Sequence, residues 1–318
     1  MAPLHGSALV PVRLSTLSTD NHLASYLALI RHAAAQTSDR LCICLDCPEI
    51  PASQHRPVTI HEALHAVLSA LYIAASEAAY RSGHLLLSVD VVFLGWCGYD
   101  PSDADWDVAI GFEADRECIA NTSIPFQIYE PPPSETNLKH LADLSRKSQS
   151  SRPEIYTQVA VGGTFDHLHS GHKVLLTMAC WIARDRLVCG VVDPTPERLQ
   201  RKMASQYMEP TRIRIHNVRR FLTTIRTGSA IAFDVVPIVD DLGPTRYESG
   251  LEAIVGSKET EKGCEMVNSV RLENGLKPLD IFIIDLISPD GSVDDIALKI
   301  SSSFIRQHLQ EQASQVKP

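Results

Sequence analysis

The chain has 318 residues, a net charge of −9, 44% hydrophobic residues and 21% charged residues. Its length allows two domains with their own hydrophobic cores, and its composition is ordinary for a globular protein. The acidic balance argues against nucleic acid and anionic membranes as partners. The sequence shows no secretory leader and no run of about 20 apolar residues, and its eight cysteines are irregularly spaced. We therefore expect a cytoplasmic protein.

Residues 1–130 are predicted to form a smaller α/β domain. The predicted elements are a helix from Asp20 to Gln36, a strand over Leu41–Asp46, a helix from Thr59 to Ser82 and a strand over Leu85–Leu94. Asp20 and Thr59 carry side chains that cap helix N-termini, and Glu62 follows Thr59 at the spacing of a capping box. The first 18 residues are expected to be loosely ordered, and no internal repeat is evident.

Two patterns in this domain allow a metal-binding interpretation. His61, Glu62 and His65 form an HExxH sequence, which on a helix places two imidazoles one turn apart, as in zinc metalloproteases. Cys42, Cys44 and Cys47 are also closely spaced. A role of Glu62 in helix capping and burial of the cysteines in the core explain the same residues, and no further ligand is evident. We predict no metal site, although the sequence leaves incidental metal binding at either cluster open.

A polar, proline- and serine-rich segment over residues 131–154 is predicted to link this domain to a second one, residues 155–318. The second domain alternates strand-like and helix-like segments, which favours a parallel sheet with helices on both faces. Its predicted strands are Ile155–Val161, Leu187–Val192, Ile231–Ile238, Leu251–Gly256 and Asp280–Ile287. Ligands of such sheets bind beyond the carboxyl ends of the strands.

The stretch from Val159 to His172 reads Val-Ala-Val-Gly-Gly-Thr-Phe-Asp-His-Leu-His-Ser-Gly-His and leads into a helix-like segment. Glycines at the end of a strand let the backbone approach a phosphate, and the N-terminus of the following helix offers free N–H groups. His169 and His172 are three residues apart at the start of that helix, so both imidazoles are expected on one face. Their N–H groups suit the charge that develops during nucleotidyl transfer.

These residues resemble the signature of the HxGH nucleotidyltransferase superfamily. Gly162-Gly163 and the Lys173-Val-Leu-Leu continuation are similar to the eukaryotic-type phosphopantetheine adenylyltransferases. The resemblance implies a Rossmann-like parallel-sheet domain that transfers the adenylyl group of ATP to 4′-phosphopantetheine. The products would be dephospho-CoA and pyrophosphate. The residues 301–306 resemble a second segment of this family, with three serines and an arginine at the start of a helix.

The resemblance also assigns roles to individual residues. The expected catalytic residues are His169, His172 and Lys202. The expected contacts of the phosphopantetheine substrate are Thr164, Phe165, Asp166 and Arg214. The expected nucleotide-binding residues are Gly162, Gly163, Gly171, Gly256, Ser257, Glu259, Ser301, Ser302, Ser303 and Arg306. Asn268 and Arg271 match a spacing of the family and are expected either to line the site or to face water. Mg²⁺ is expected to arrive with ATP.

A basic island supports binding of a polyanion by this acidic chain. Between Arg198 and Arg226 there are eight cationic residues and one acidic residue, Glu209. No Gly-x-x-x-x-Gly-Lys-Ser/Thr motif is found, so a separate kinase is expected to use the dephospho-CoA product. The alternatives are a cytidylyltransferase, an adenylyltransferase with another acceptor such as nicotinamide mononucleotide, and a non-catalytic scaffold that binds a nucleotide or CoA.

Overall fold

Strands and helices alternate along the chain and build two parallel β-sheets, one in each half. The computed structural model describes residues 5–100, 104–119, 123–131, 152–195, 199–285 and 300–315. Most of the predicted linker, residues 132–151, therefore lies outside the described residues. Each sheet has five strands, and every strand pair is parallel. The α/β class expected for both halves is confirmed.

The N-terminal half contains five strands and three α-helices. These are β1 (His5–Arg13), α1 (Asn21–Ala35), β2 (Thr37–Asp46), α2 (Glu49–Ala52), α3 (His61–Arg81), β3 (Ser88–Phe93), β4 (Val108–Gly111) and β5 (Phe126–Ile128). The predicted helix cap at Asp20 is confirmed, since its carboxylate accepts hydrogen bonds from the backbone N–H groups of His22 and Leu23. Two 3₁₀ helices, Pro57–Ile60 and Glu113–Ile119, complete this half.

Two predictions for the N-terminal half are wrong. Residues 5–13 are not loose, because they form β1, the central strand of its sheet. Its segment Ala8–Val12 is a continuous apolar run that is buried on both faces, as is usual in parallel sheets. Thr59 does not cap α3, which begins at His61. Thr59 lies in the preceding 3₁₀ helix, and its hydroxyl donates to the carbonyl of Arg56, so Glu62 has no capping box to complete.

The described residues of the C-terminal half form five strands and four α-helices. These are β6 (Tyr156–Gly163), α4 (Ser170–Ile182), β7 (Ala183–Val192), α5 (Thr211–Ile225), β8 (Ala232–Ile238), β9 (Ala253–Ser257), α6 (Glu261–Glu273), β10 (Asp280–Ile284) and α7 (Ser302–Gln315). All five predicted strands are present. The end of the last predicted strand, residues 286–287, lies outside the described residues.

The two sheets have the same topology, although the sequence shows no repeat. The strand orders are β3-β2-β1-β4-β5 and β8-β7-β6-β9-β10, so the first strand of each half is central. The registers match as well: Ser7 pairs with Arg40 in one sheet and Gln158 with Arg186 in the other, each after the same irregularity. In the second sheet the strand order reverses beside β6, and the carboxyl end of β6 carries the glycine pair. This is where such sheets bind ligands.

The two halves pack closely against each other. One hydrophobic cluster includes buried residues of both sheets, and α3 lies against α4. Polar contacts also cross the boundary: the indole of Trp181 donates to the carbonyl of Pro57 at 2.9 Å, and Arg226 donates to the carbonyl of Trp96 at 2.8 Å. The N-terminal half therefore packs directly against the helices of the C-terminal half.

Helix α3 and its preceding 3₁₀ turn are long and apolar enough to cross a membrane by length and composition alone. Within this structure, however, 72% of the most apolar 18-residue window is buried against the rest of the protein. The apolar residues face α1, β3 and α4, which explains the composition by core packing.

The two histidines of α3 lie at the boundary between the halves. The ring of His61 packs on that of Phe282, with centroids 5.0 Å apart, and the Nε2 atom of His65 lies 2.6 Å from the carbonyl oxygen of Asp285. Among the described residues, no group of three or more His, Cys, Asp or Glu could hold a metal ion. In the cysteine cluster, the Sγ atoms of Cys42 and Cys44 are 3.9 Å apart and buried in the core. Burial in the core fits the cysteines as expected, whereas the helix-capping role expected for Glu62 is wrong.

His61 makes the stability of the fold depend on pH. Burial, followed by the neighbouring His65 and Arg152, lowers the pKa of His61 to about 3. An unfolded histidine has a pKa of about 6.5, so the unfolded state binds more protons between these values. The stability contributed by neutral His61 is thus complete above pH 6.5 and declines as the pH falls toward 3. His61→Gln should reduce the pH slope of the unfolding free energy between pH 6 and 4 by up to about 1.4 kcal/mol per pH unit.

Denaturant titrations at a series of pH values measure this slope. His55→Gln is the matched control, since His55 is exposed in a turn of the same half and should leave the slope unchanged. An unaltered slope in His61→Gln would contradict the assignment.

Candidate active site

The candidate site begins where β6 ends and the chain turns into α4, through the motif loop, residues 164–169. A Cβ atom on Gly163 would lie 3.2 Å from the ring of Phe165, so glycine lets that ring pack under the strand end. Phe165 and His167 have positive φ values of 49° and 46°, which side-chain-bearing residues rarely adopt. Such backbone conformations concentrate at functional sites, where the surrounding contacts hold them in place.

His169 and His172 form a stacked pair at the N-terminus of α4. Their ring centroids are 3.9 Å apart with an interplanar angle of 31°, and the ring of His172 also contacts Phe165 at 5.3 Å. The Nδ1 atoms of both histidines are buried without a hydrogen-bond partner in the described parts of the chain. His169 is the N-cap but its side chain caps no backbone N–H, so the free N–H groups of the first turn, which includes Gly171, remain available to an anion.

Both histidines are neutral at physiological pH. Burial lowers the pKa of His169 to about 4, opposed by the charge of Asp166, and burial together with His169 holds the pKa of His172 well below its ordinary value. A neutral pair can stack closely without charge repulsion. Each ring can also still donate an N–H group to a phosphate oxygen.

Asp166 connects the motif loop to two other segments. Its carboxylate accepts hydrogen bonds from the guanidinium of Arg306 at 2.5 Å and from the backbone N–H of Glu209 at 2.9 Å. Its carbonyl accepts from the hydroxyl of Ser302 at 2.8 Å. Arg306 also donates to the carbonyl of Met203 and to the hydroxyl of Ser303. Two motifs that are far apart in sequence therefore meet in one hydrogen-bond network.

Three cations surround this network. Lys202 donates to the hydroxyl of Thr164 at 3.1 Å, and Arg214 donates to the carbonyls of Thr164 and Val192. Burial, followed by the charge of Arg306, lowers the pKa of Lys202. Arg214 and Arg306 are almost completely buried, so their charges act in a medium where water screens them poorly. Together with Lys202 they place three positive charges beside the motif loop, where Asp166, Asp193 and Glu209 also act on Arg214.

The structure corrects the roles predicted for four of these residues. Phe165, Asp166, Arg214 and Arg306 were expected to contact substrates, but all four side chains are at most 2% exposed. The guanidinium of Arg214 donates its hydrogen bonds to backbone carbonyls and to the Thr211 hydroxyl. That of Arg306 donates to Asp166, Met203 and Ser303. In this conformation they shape the site and supply charge to it, and they do not reach into it.

Most of the other predicted residues are at least partly exposed, although Gly256 is buried. Thr164, His169, His172 and Lys202 are half-buried, and Gly162 is exposed at the end of β6. Ser301 accepts a long hydrogen bond, 3.4 Å, from the backbone N–H of Phe304 at the start of α7. The serines of this segment therefore sit at a helix N-terminus next to the motif loop, with Ser302 and Ser303 tied to that network.

The turn after β9 lies at the same edge of the sheet as the glycine pair, because β9 pairs with β6. Ser257 and Thr260 form a capping box over the 3₁₀ turn Lys258–Thr260, and Glu259 is exposed in it. A Cβ atom on Gly256 would lie 2.5 Å from the Sγ atom of Cys264, so this glycine permits close packing of α6 on β9. The predicted nucleotide contact through this turn remains a prediction.

Two further residues neither line the site nor face water. Arg271 is fully buried and donates to the carbonyls of Lys277, Thr245 and Glu248. Asn268 exchanges hydrogen bonds with the backbone of Leu279. Both hold the α6 region together.

Within the basic island, Lys202 and Arg214 reach the motif loop. Arg198 lies outside the described residues, whereas Arg219 and Arg226 bond to backbone carbonyls elsewhere.

Sequence reasoning missed the role of Glu209. Its carboxylate accepts from the backbone N–H of His167 at 2.8 Å and from the amide of Asn217 at 3.1 Å, and its carbonyl accepts from Arg214. It thereby supports the positive-φ backbone of the motif loop. A signal was present in the sequence, since Glu209 is the single acidic residue of the basic island.

Comparisons with known proteins agree with this geometry. Residues 160–308 match the model of the cytidylyltransferase-like family. The phosphopantetheine adenylyltransferase of Methanopyrus kandleri is 36% identical over 156 residues, which are 49% of this chain and 92% of that protein. The chain belongs to the phosphopantetheine adenylyltransferase family.

Sequence similarity to other relatives covers different shares of the chain. The phosphopantetheine adenylyltransferase of Saccharomyces cerevisiae is 36% identical over 155 residues, about half of each chain at 49%. An uncharacterized protein of Schizosaccharomyces pombe is 30% identical over 318 residues, which are 96% of this chain and 97% of that protein. Similarity to the Schizosaccharomyces protein therefore extends along nearly the whole chain, whereas the proteins named phosphopantetheine adenylyltransferase match about half of it.

The buried pair of Asp166 and Arg306 generates a prediction about stability. Arg306→Met removes one partner and leaves the other charge buried, which should lower the free energy of unfolding by about 3–5 kcal/mol. Ser303→Ala removes only one neutral acceptor of the same guanidinium and should cost about 1 kcal/mol. Chemical denaturation of the two variants and the wild-type protein measures both values. Equal, small losses in both variants would contradict the structural role given to Arg306.

Proposed function

We propose that this protein transfers the adenylyl group of ATP to 4′-phosphopantetheine, giving dephospho-CoA and pyrophosphate. The observation that carries the proposal is the stacked, neutral pair of His169 and His172 at a helix N-terminus, beside Lys202 and Thr164. The choice of substrates rests on the names of the relatives, among which phosphopantetheine adenylyltransferases match the C-terminal half.

The proposed reaction needs no general base, because the phosphate of the acceptor is already an anionic nucleophile at neutral pH. One of its oxygens attacks the α-phosphorus of ATP, and the bond from that phosphorus to the bridging oxygen of the β-phosphate breaks. The protein's contribution is to align the reactants and to stabilise the charge that develops on the α-phosphate.

The residues divide this work according to their positions. Thr164 and Lys202 hold the attacking phosphate, and the N–H groups of His172 and His169 donate to the α-phosphate and to the leaving side of the bridge. The backbone N–H groups of the first turns of α4 and α7 take the remaining phosphate oxygens. Mg²⁺ enters as part of the MgATP substrate, and in the described residues no carboxylate cluster competes for it. A separate dephospho-CoA kinase would use the product.

The alternatives within the superfamily differ in nucleotide and acceptor. Pyrophosphate release should be measured with ATP and with CTP, each against 4′-phosphopantetheine and nicotinamide mononucleotide. ATP with 4′-phosphopantetheine should exceed every other combination by at least about 100-fold in kcat/KM, a difference of roughly 3 kcal/mol in transition-state binding. A preference for CTP or for the other acceptor would contradict the proposal, and so would binding of ATP without turnover of any acceptor.

His172 provides the test of the catalytic assignment. His172→Ala should lower kcat by about 10²–10⁴-fold with little change in the KM for ATP, since the lost N–H acts mainly in the transition state. His216→Ala is the matched control, because His216 is exposed on α5. Turnover of His172→Ala close to that of His216→Ala would refute the role of His172.

A further inference from the structure

The residue that follows His172 is held by the other half of the protein. Lys173 is 6% exposed, and its ammonium donates to the carboxylate of Asp90 and to the carbonyl of Val89, both at 2.7 Å. Its third neighbour is the hydroxyl of Ser88 at 3.5 Å. All three partners belong to β3, the edge strand of the N-terminal sheet. A side chain of the catalytic helix is thus buried in a polar socket of the N-terminal half.

A second contact from the same half holds the preceding turn. The hydroxyl of Ser76, on α3, forms a short hydrogen bond with that of Ser170, the first residue of α4. Ser170 directly follows His169 in sequence, and Lys173 directly follows His172. The first turn of α4 is therefore fixed from the N-terminal half at two points, one beside each histidine.

The ion pair of Lys173 and Asp90 is both well bonded and shielded. The Lys173 side chain is 8% exposed and that of Asp90 is 22% exposed, whereas the pair of Arg56 with Glu154, at the end of the linker, has side chains 63% and 55% exposed. Exposed pairs contribute little, but removal of one partner of a buried pair leaves a charge without compensation. Without Asp90, the Lys173 ammonium would keep only the carbonyl of Val89 and the more distant hydroxyl of Ser88 as partners in the cavity that they line, and the start of α4 would lose a fixed point.

The relatives show where this arrangement can occur. The Methanopyrus protein consists almost entirely of the segment that matches the C-terminal half, so it has no counterpart of β3. The Schizosaccharomyces protein matches along nearly the whole chain. Proteins with both halves can use β3 to hold the catalytic helix, and proteins with the C-terminal half alone cannot.

We infer that the N-terminal half positions the catalytic helix, and that Asp90 is the positioning residue, acting through Lys173 on the placement of His172 and His169. The inference rests on the proposed function for its kinetic readout. Small displacements of catalytic groups are costly, since about 1 Å can reduce the rate 100-fold. The N-terminal half thereby has a role in catalysis although it does not contact the substrate.

The test compares Asp90→Asn, Lys173→Met and the double variant with Glu154→Gln, which removes an exposed pair between the N-terminal half and the linker. Full-length proteins are compared by Tm and by kcat and KM. In Asp90→Asn and in Lys173→Met, kcat should fall about 10–100-fold while the KM for ATP changes less than about threefold. The double variant should be no worse than the poorer single variant, because both changes break one interaction. Glu154→Gln should keep its kcat within about twofold.

A purely structural role gives different results. It would lower the Tm of Asp90→Asn and leave kcat per folded molecule at the value of Glu154→Gln, and that outcome overturns the inference. A rise in KM alone overturns it as well. If Asp90→Asn does not fold, Asp90→Glu keeps the charge and displaces it by one methylene. It should then show the selective loss of kcat, and wild-type kcat in this variant counts against the inference.

Nuclear magnetic resonance of the imidazole rings separates this inference from the proposed function. With ¹⁵N-labelled histidine, the signals of His169 and His172 should shift in Asp90→Asn and stay unchanged in Glu154→Gln. This readout requires no turnover. Absence of adenylyl transfer by the wild-type protein would refute the proposed function, whereas unshifted signals in Asp90→Asn would refute the positioning role.

Discussion

The buried ion pair between Asp166 and Arg306 is the interaction on which the site depends. The two side chains are 140 positions apart in sequence and at most 2% exposed. Removal of both charges from water is costly, so the pair needs further hydrogen bonds, which come from the N–H of Glu209, the carbonyl of Met203 and the hydroxyl of Ser303. These partners bring the loop after β7 and the start of α7 against the motif loop. Two helix N-termini thereby face the same space.

Burial separates supporting residues from those available to substrates. Asp166, Arg214 and Arg306 hold the backbone and contribute charge from within, whereas Thr164, His169, His172 and Lys202 remain half-exposed. The neutral state of the two histidines fits this division. In the proposed reaction they would lower the energy of developing phosphate charge by N–H donation, and the lasting positive charge would come from neighbours that do not leave their hydrogen-bond partners. The N-terminal half adds support from outside, through Asp90 and Lys173.

Local sequence patterns predicted the elements of the C-terminal half and the anion-binding turn, because glycines, helix caps and apolar runs act over a few residues. The site itself required contacts over long separations. Phe165, Asp166 and Arg306 belong to recognisable motifs, but nothing local shows that their side chains turn inward and bind each other. Strand β1 was missed for a different reason: a central parallel strand is apolar on both faces, and β1 begins with His5-Gly6-Ser7, which resembles a loop. The strand order that the two halves share could not be predicted from the sequence either, since the halves repeat in topology and register and not in sequence.

The central claim is that the phosphate of 4′-phosphopantetheine attacks the α-phosphorus of ATP. Acceptor labelled with ¹⁸O in its phosphate, incubated with MgATP and the full-length protein, tests this claim most directly by mass spectrometry of both products. The account predicts that all of the label stays in dephospho-CoA, including its bridging oxygen, and that pyrophosphate is unlabelled. Label in pyrophosphate, or an adenylylated product without label in the bridge, would contradict direct attack by the acceptor phosphate.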